Sequence, residues 1–199
     1  MKRIIKGIEP VQFSTWKSGK KTSGHPEWKR VPPDIKNIVH QSLLEEQGYI
    51  CCYCERQIRE SGSHTEHFRP KRFGDLQVDY ANLLCSCERD LKAGVPYHCG
   101  VLKDDWFDEN LLVSPLTENC EDRFLFTGSG EILPRQDEDE AATTTIARLG
   151  LNVEKLKAMR AKAIEALHDL SPAQIRQILA NKVDDKYLPF HTTIRQVLA

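Results

Sequence analysis

Three segments contain the residues that decide the fold: Cys51-Cys52-Tyr53-Cys54, then Ser63-His64-Thr65-Glu66-His67-Phe68-Arg69-Pro70-Lys71, then Asn82-Leu83-Leu84-Cys85-Ser86-Cys87. Two residues separate Cys51 from Cys54, a spacing that lets both sulfurs reach one tetrahedral metal ion. Six of the seven cysteines lie between positions 51 and 99, whereas a disulfide scaffold would spread them along the chain. The sequence therefore predicts a structural zinc site.

Glu66 and His67 are the predicted catalytic pair. A carboxylate can bind a hard divalent cation, and an imidazole can accept a proton from water near neutral pH. On a strand, neighbouring side chains point to opposite faces, so His67 can address water while Glu66 binds the ion. Asn82 is expected to fix a loop or the imidazole through hydrogen bonds. The candidates for holding the phosphate are Arg69, Lys71 and Arg72.

The bulk properties are those of a folded domain. With 199 residues, 40% hydrophobic and 29% charged, the chain can bury a proper core. No apolar run approaches the roughly 20 residues that span a bilayer, and the N-terminus lacks the apolar stretch of a secretory signal. We therefore expect a cytoplasmic protein without membrane contact. Residues 1–100 carry a net charge of +4 and residues 101–199 carry −5, so the half with the predicted site suits an anionic ligand.

The pattern of elements predicts an α+β fold in three parts. Residues 1–48 form an N-terminal arm and helix, residues 49–109 a zinc-bound core, and residues 110–199 a hairpin and helical region that we expect to bind a partner. The predicted elements are a helix over 34–47 with Asp34 as its cap and His40 on its surface, strands over 65–69 and 81–85, a helix beginning at 101, a hairpin within 110–135, and helices over 137–150, after Asn152, after Ser171-Pro172 and over 188–198.

Residues 13–32 interleave basic side chains with Trp16 and Trp28. Glycines and prolines in this stretch argue against a long regular element. Basic residues mixed with aromatic ones can line a nucleic-acid groove. Two tryptophans can equally cover the edge of a core from a surface loop, and both readings remain open at this point.

The arrangement resembles the HNH, or ββα-metal, nucleases, which carry an acidic-His dipeptide on one strand and an Asn ahead of the second. The segments 50–56, 64–71, 79–87 and 98–100 are similar to those of the small PtuB-type nucleases of Septu anti-phage systems, which also accompany some retrons. The resemblance implies a ββα core in which Glu66 binds the catalytic ion, Mg²⁺ or Mn²⁺, His67 acts as the base and Asn82 supports the site. It also implies a structural zinc held by Cys51, Cys54, Cys99 and either Cys85 or Cys87.

The same resemblance implies partners and a biological role. Such nucleases act with a PtuA-like ATPase, and some with a retron reverse transcriptase–msDNA complex, as effectors of anti-phage defence. The nucleic acid would be DNA or tRNA. Two alternatives remain: a zinc-stabilised nucleic-acid-binding module that has lost hydrolysis, and a regulator of the ATPase that acts through its helical C-terminal region.

Two departures from the family pattern concern the end of the motif. Eleven residues separate Cys87 from Cys99, where a two-residue spacing is common. Gly100 stands where the family usually has an Asn or His metal ligand, although Lys103 keeps the position of a lysine that often follows. The third contact to the catalytic ion therefore comes from the inserted loop or from His98, Asp104 or Asp105, or the ion is held mainly by Glu66 and water.

Overall fold

The computed structural model describes residues 1–20, 26–87 and 94–199. Its helices and its two small antiparallel sheets agree with the predicted α+β class. The elements in chain order are α1 (Val11–Lys20), α2 (Pro33–Glu46), β1 (Ser63–His67), β2 (Leu83–Cys87), α3 (Cys99–Lys103), β3 (Phe124–Phe126), β4 (Ile132–Pro134), α4 (Glu140–Arg148), α5 (Glu154–Glu165), α6 (Pro172–Ala180) and α7 (His191–Leu198). Within these described residues the helices lack the length and apolar character needed to cross a bilayer.

Helix α2 confirms the predicted helix, with two differences of detail. Pro33 occupies its first turn and Pro32 its N-cap position, so Asp34 lies inside the helix and does not cap it. His40, predicted on the helix surface, is buried against β1, where its Nε2 lies 3.0 Å from the hydroxyl of Ser63. Helix α2 therefore supports the first sheet through a polar contact as well as through its apolar face.

Strands β1 and β2 pair antiparallel, with Ser63 opposite Cys87 and His67 opposite Leu83. Both predicted strands exist, but β1 lies two residues earlier than predicted and β2 two residues later. The reason is Asn82, whose backbone and side chain bind the chain just beyond β1. Its carbonyl accepts from the N–H of Phe68 at 3.0 Å, and its side-chain Oδ1 accepts from the N–H of Arg69 at 2.8 Å.

Helix α1 corrects the expectation that residues 13–32 lack a long regular element. It runs for ten residues directly after Pro10, because the breaking residues of this stretch lie near or beyond its C-terminal end. Phe13 is buried, and its ring lies 6.2 Å from that of Trp16 and 6.1 Å from that of Trp28. The two tryptophans therefore pack at the edge of the core, and residues 21–25 lie outside the described part of the chain.

Part of the C-terminal third packs onto the same core as the first sheet, while Ile175, Leu179 and Ile194 form a second, small cluster. One hydrophobic cluster joins buried side chains from Met1 to Leu156. The buried carboxylate of Glu55 accepts from the N–H of Thr192 at 2.7 Å, which ties α7 to the segment before β1. Because the three predicted parts share this core, their boundaries remain an interpretation of the sequence.

The helix ends of this region largely follow the sequence. Ser171 forms the predicted cap of α6, in a capping box with Gln174. Asn152 does not cap α5 as predicted, because its side chain bonds both backbone groups of Ile132 on β4 and Val153 takes the cap position. Helix α3 begins at Cys99, two residues before the predicted start, and ends at Lys103 before Asp104, whose φ is +46°.

Arg160 is expected to be essential for the stability of this region. Its buried guanidinium donates to the carbonyls of Gly130 and Leu151, joining the β3–β4 turn, the chain after α4, and α5. The substitution Arg160→Met leaves both carbonyls without these donors and should lower the free energy of unfolding by about 2–5 kcal/mol. Urea denaturation measures this loss, with the exposed Lys162→Met on the same helix as control. Equal stability of the two variants would contradict this role for Arg160.

Candidate active site and cysteine cluster

Four buried cysteines form a compact cluster. The ligand atoms of Cys51, Cys54, Cys87 and Cys99 all lie within 4.8 Å of one another. The sulfurs of Cys54 and Cys87 are 3.8 Å apart, and a tetrahedral zinc with Zn–S bonds of about 2.3 Å separates its sulfurs by about 3.8 Å. The cluster can therefore hold a metal ion, and its four thiols fit zinc.

The cluster joins three elements that are far apart in the chain. Cys51 and Cys54 lie in the turn after α2, Cys87 ends β2, and Cys99 begins α3. Burial opposes ionisation of Cys51, but hydrogen bonds from the thiols around it prevail and hold its pKa well below the usual value. A buried thiolate of this kind is stabilised by a bound cation.

Of the two candidates Cys85 and Cys87, it is Cys87 that lies in the cluster. Burial raises the pKa of the Cys85 thiol, which is typical of an inert core cysteine. His98 also belongs to this region, because its Nδ1 lies 3.2 Å from the sulfur of Cys99 and 3.7 Å from that of Cys87. Among the proposed third ligands, His98 therefore lies against the cysteines. The inserted segment between Cys87 and Cys99 lies partly outside the described residues, which exclude 88–93.

A cleft of about 270 Å³ opens between β1 and α3. Both predicted catalytic side chains, Glu66 and His67, belong to its wall. The other lining residues are His64, Thr65, Pro70, Lys71, Gly100, Val101, Asp104 and Asp105. The cleft thus brings together a carboxylate, two imidazoles, a lysine and two exposed aspartates.

Glu66 is a buried carboxylate held from one side. Its Oε1 lies 2.8 Å from the ammonium of Lys103, itself only 1% exposed, and accepts a hydrogen bond of 3.1 Å from the hydroxyl of Tyr53. Burial favours the neutral acid, but the contacts with His64 and Lys103 outweigh it and keep the pKa of Glu66 below its usual value. The ionised carboxylate therefore contacts Lys103 and Tyr53 through Oε1, while Oε2 faces the cleft.

His67 is fixed in one orientation and one tautomer. Its Nε2 lies 3.0 Å from the backbone carbonyl of Gln77, which only accepts, so Nε2 carries the proton and Nδ1 the lone pair. The ring of Trp28 packs edge-on against the imidazole at 5.3 Å. Burial lowers the pKa of His67 to about 4, so the ring is neutral at physiological pH. A neutral imidazole with a free nitrogen can accept a proton from water.

Asn82 contacts the loop after β1. Its amide donates to the carbonyls of Arg69 and Leu76 at 2.9 and 3.0 Å and accepts from the N–H of Arg69. Of the two supporting roles considered from the sequence, the structure gives Asn82 that of fixing the loop, while Gln77 fixes the imidazole.

The three predicted phosphate-binding residues lie in different places. Lys71 is exposed and lines the cleft beside His67. Arg69 lines a separate groove and pairs with the exposed Glu109 at 2.6 Å. Arg72 donates to the backbone carbonyl of Asp105 at the edge of the cleft. Only Lys71 of these three lines the same cleft as the catalytic pair.

The sequence did not predict that His64, Tyr53, Trp28 or Gln77 would contact Glu66 or His67. Tyr53 and Trp28 come from segments before β1, so only the tertiary structure shows that they meet the catalytic pair. The position of His64 was visible in the sequence, because residues two apart on a strand share a face with each other. Its Nε2 lies 3.5 Å from Oε2 of Glu66.

The similarity of the chain to known proteins points to nucleases. No family model matches the sequence. A protein of Vibrio cholerae serotype O1 biovar El Tor, described as "Retron Vc95 putative HNH endonuclease", is 32% identical over 141 residues, which cover 67% of this chain and 66% of that protein. This similarity supports the HNH nuclease family for the chain.

The cysteine cluster predicts a specific loss of metal. Cys54→Ser should reduce the zinc content from about one ion per chain towards none, and should lower the thermal stability, because the ion contributes directly to folding. Elemental analysis of the purified protein measures the metal, and calorimetry measures the stability. Cys120→Ser is the matched control, because Cys120 is an equally buried thiol outside the cluster. Full zinc content in Cys54→Ser would contradict the assignment.

Proposed function

We propose that this protein is a metal-dependent HNH-type endonuclease that hydrolyses phosphodiester bonds. The observation that carries the proposal is the pairing of a neutral imidazole with an ionised, buried carboxylate at one cleft. Each is held by its own contacts, His67 by Gln77 and Glu66 by Lys103 and Tyr53. This pairing suits hydrolysis, since one group accepts a proton while the other holds a cation.

The proposed roles follow from the geometry. Nδ1 of His67 removes a proton from the water that attacks phosphorus, because Nε2 is already engaged. Glu66 would hold a divalent ion, Mg²⁺ or Mn²⁺, which would supply positive charge against the developing negative charge of the phosphate. Lys71 holds a phosphate of the substrate beside His67. Asn82 acts indirectly, by fixing the loop that contains Lys71.

We assign residues 49–109 to the nuclease core. Strands β1 and β2 and helix α3 would form its ββα unit, and zinc at Cys51, Cys54, Cys87 and Cys99 would connect its two ends. Several features support this: the antiparallel pairing of the two strands, the position of Glu66 and His67 at the end of β1, and the start of α3 at Cys99.

The biological setting is part of the proposal. The relative is described as a retron protein, and this supports a role beside a retron reverse transcriptase–msDNA complex. We further propose a PtuA-like ATPase as partner, with residues 110–199 as its binding region, and action on DNA or tRNA during anti-phage defence. Co-purification with a neighbouring ATPase and incubation with plasmid DNA and total tRNA test these points.

Replacing the base should abolish cleavage. His67→Ala should reduce the rate by on the order of 10²–10⁴-fold, because it removes the proton acceptor. The assay follows plasmid DNA and tRNA with Mg²⁺ or Mn²⁺, in the presence of the partner. The control His168→Ala removes an exposed histidine on the chain after α5 and should cleave as the wild type. If His67→Ala remains fully active with unchanged zinc content, the proposed base is wrong.

Lys71 should contribute more to substrate binding than Arg69, because it lines the catalytic cleft. In the inactive His67→Ala background, Lys71→Glu should weaken binding to a labelled oligonucleotide and reduce the slope of log K against log salt by about 1. Arg69→Glu should have a smaller effect, and the exposed Lys162→Glu should have little. Fluorescence anisotropy at several salt concentrations measures all three. An unchanged salt slope for Lys71→Glu would argue against a phosphate contact.

A further inference from the structure

His64 and Gly100 form a feature that the proposed catalytic pair does not explain. His64 lies on β1 two residues before Glu66, so both side chains project from the same face of the strand. Gly100, in the first turn of α3, faces them across the cleft. The position of Gly100 is where related nucleases usually have the last ligand of the catalytic ion.

The absence of a side chain at Gly100 has a measurable consequence. A Cβ atom at this position would lie 2.4 Å from Oε2 of Glu66 and 2.8 Å from Nε2 of His64. Real Cβ atoms do not approach other atoms this closely. The two polar atoms therefore occupy the space that a ligand on the helix would need, and Gly100 is the residue that permits them to meet there.

The atoms of Glu66 and His64 that face the cleft are placed to bind one ion. Oε1 of Glu66 is engaged by Lys103 and Tyr53, while Oε2 lies 3.5 Å from Nε2 of His64. Two ligands about 2.1 Å from one ion lie about 3.0 Å apart at a right angle and about 3.4 Å apart at the tetrahedral angle. The observed separation is thus close to that of two neighbouring ligands of one ion, and it also allows a weak hydrogen bond from His64 to Glu66.

We propose that His64 replaces the missing helix ligand and binds the catalytic ion together with Oε2 of Glu66. This inference rests on the proposed nuclease function. Water and a phosphate oxygen of the substrate complete the coordination, with the exposed carboxylates of Asp104 and Asp105 at the edge of the cleft.

The charges around the site define the kind of ion and its affinity. Lys103 already balances the charge of Glu66, so a divalent ion enters a site with little net negative charge. Its binding without nucleic acid should be weak and should strengthen when a phosphate joins the site. An imidazole ligand favours Mn²⁺ and later transition metals over Mg²⁺. Mn²⁺ is therefore the appropriate probe.

The experiment measures Mn²⁺ binding to the zinc-loaded full chain, independently of cleavage. Titration followed by EPR gives the affinity, and pulsed EPR detects the coupling of bound Mn²⁺ to an imidazole nitrogen. The wild type should bind one Mn²⁺ with nitrogen coupling. His64→Ala should lose this coupling and bind Mn²⁺ on the order of tenfold or more weakly, since even indirect ligand partners contribute that much.

Four further variants separate ligation from simple support. His64→Gln keeps a hydrogen-bond donor for Glu66 but should still lose the nitrogen coupling. Gly100→Ala should lose Mn²⁺ while retaining zinc, because the methyl group would occupy the place of the ion. His67→Ala removes the other imidazole of the cleft and should retain the coupling, as should His168→Ala. Zinc content and circular dichroism verify that each variant is folded.

The outcomes distinguish this inference from the proposed function. Wild-type affinity in His64→Ala, or Mn²⁺ bound to the wild type without nitrogen coupling, would overturn the role of His64 even if cleavage depends on His67. A wild type that binds no Mn²⁺ with or without a nonhydrolysable oligonucleotide would overturn it too. Binding through His64 in a protein that cleaves no nucleic acid would leave the site intact and refute the nuclease.

Discussion

The four-cysteine cluster is the constraint on which the rest of the site depends. Strands β1 and β2 have five residues each, and α3 has five, so none of these elements is stable alone in water. The cluster fixes the turn before β1, the end of β2 and the start of α3 at one point. A metal ion there would replace much of the hydrophobic stabilisation that such short elements lack. The cleft lies beside this point, between β1 and α3.

Burial of ionisable groups determines what the cleft can do. A buried carboxylate is costly unless it is paired, and Lys103, equally buried, pairs with Glu66 at 2.8 Å. The same ammonium donates to the backbone carbonyl of His67, which connects Glu66 and His67 through α3. Burial favours the neutral form of His67 as well, and there it prevails, so the imidazole stays neutral. One environment therefore maintains an ionised carboxylate and a neutral imidazole side by side.

Much of this arrangement could be predicted from local sequence. The spacing of Cys51 and Cys54 predicted a metal site, the family resemblance added Cys99 with Cys85 or Cys87, and turn chemistry predicted helices such as α6 with its Ser171 cap. The predictions that failed concerned residues whose side chains form hydrogen bonds to groups far away in the sequence. Asn82 shifted both strands by two residues, Asn152 bonded Ile132 instead of capping a helix, and His40 was buried by Ser63. A local pattern contains no information on such partners, since they are 11 or more positions away along the chain.

The closeness of His64 to Gly100 is another contact that the local sequence does not reveal, and this one concerns the proposed metal site. Considered singly, Gly100 indicates a lost ligand and His64 an ordinary strand residue. In three dimensions the side-chain ends of Glu66 and His64 occupy the space in front of Gly100, so a side chain at position 100 would require both of them to move. A ligand on β1, two residues from Glu66, also needs no precise docking of a five-residue helix to place it, because one strand fixes both side chains.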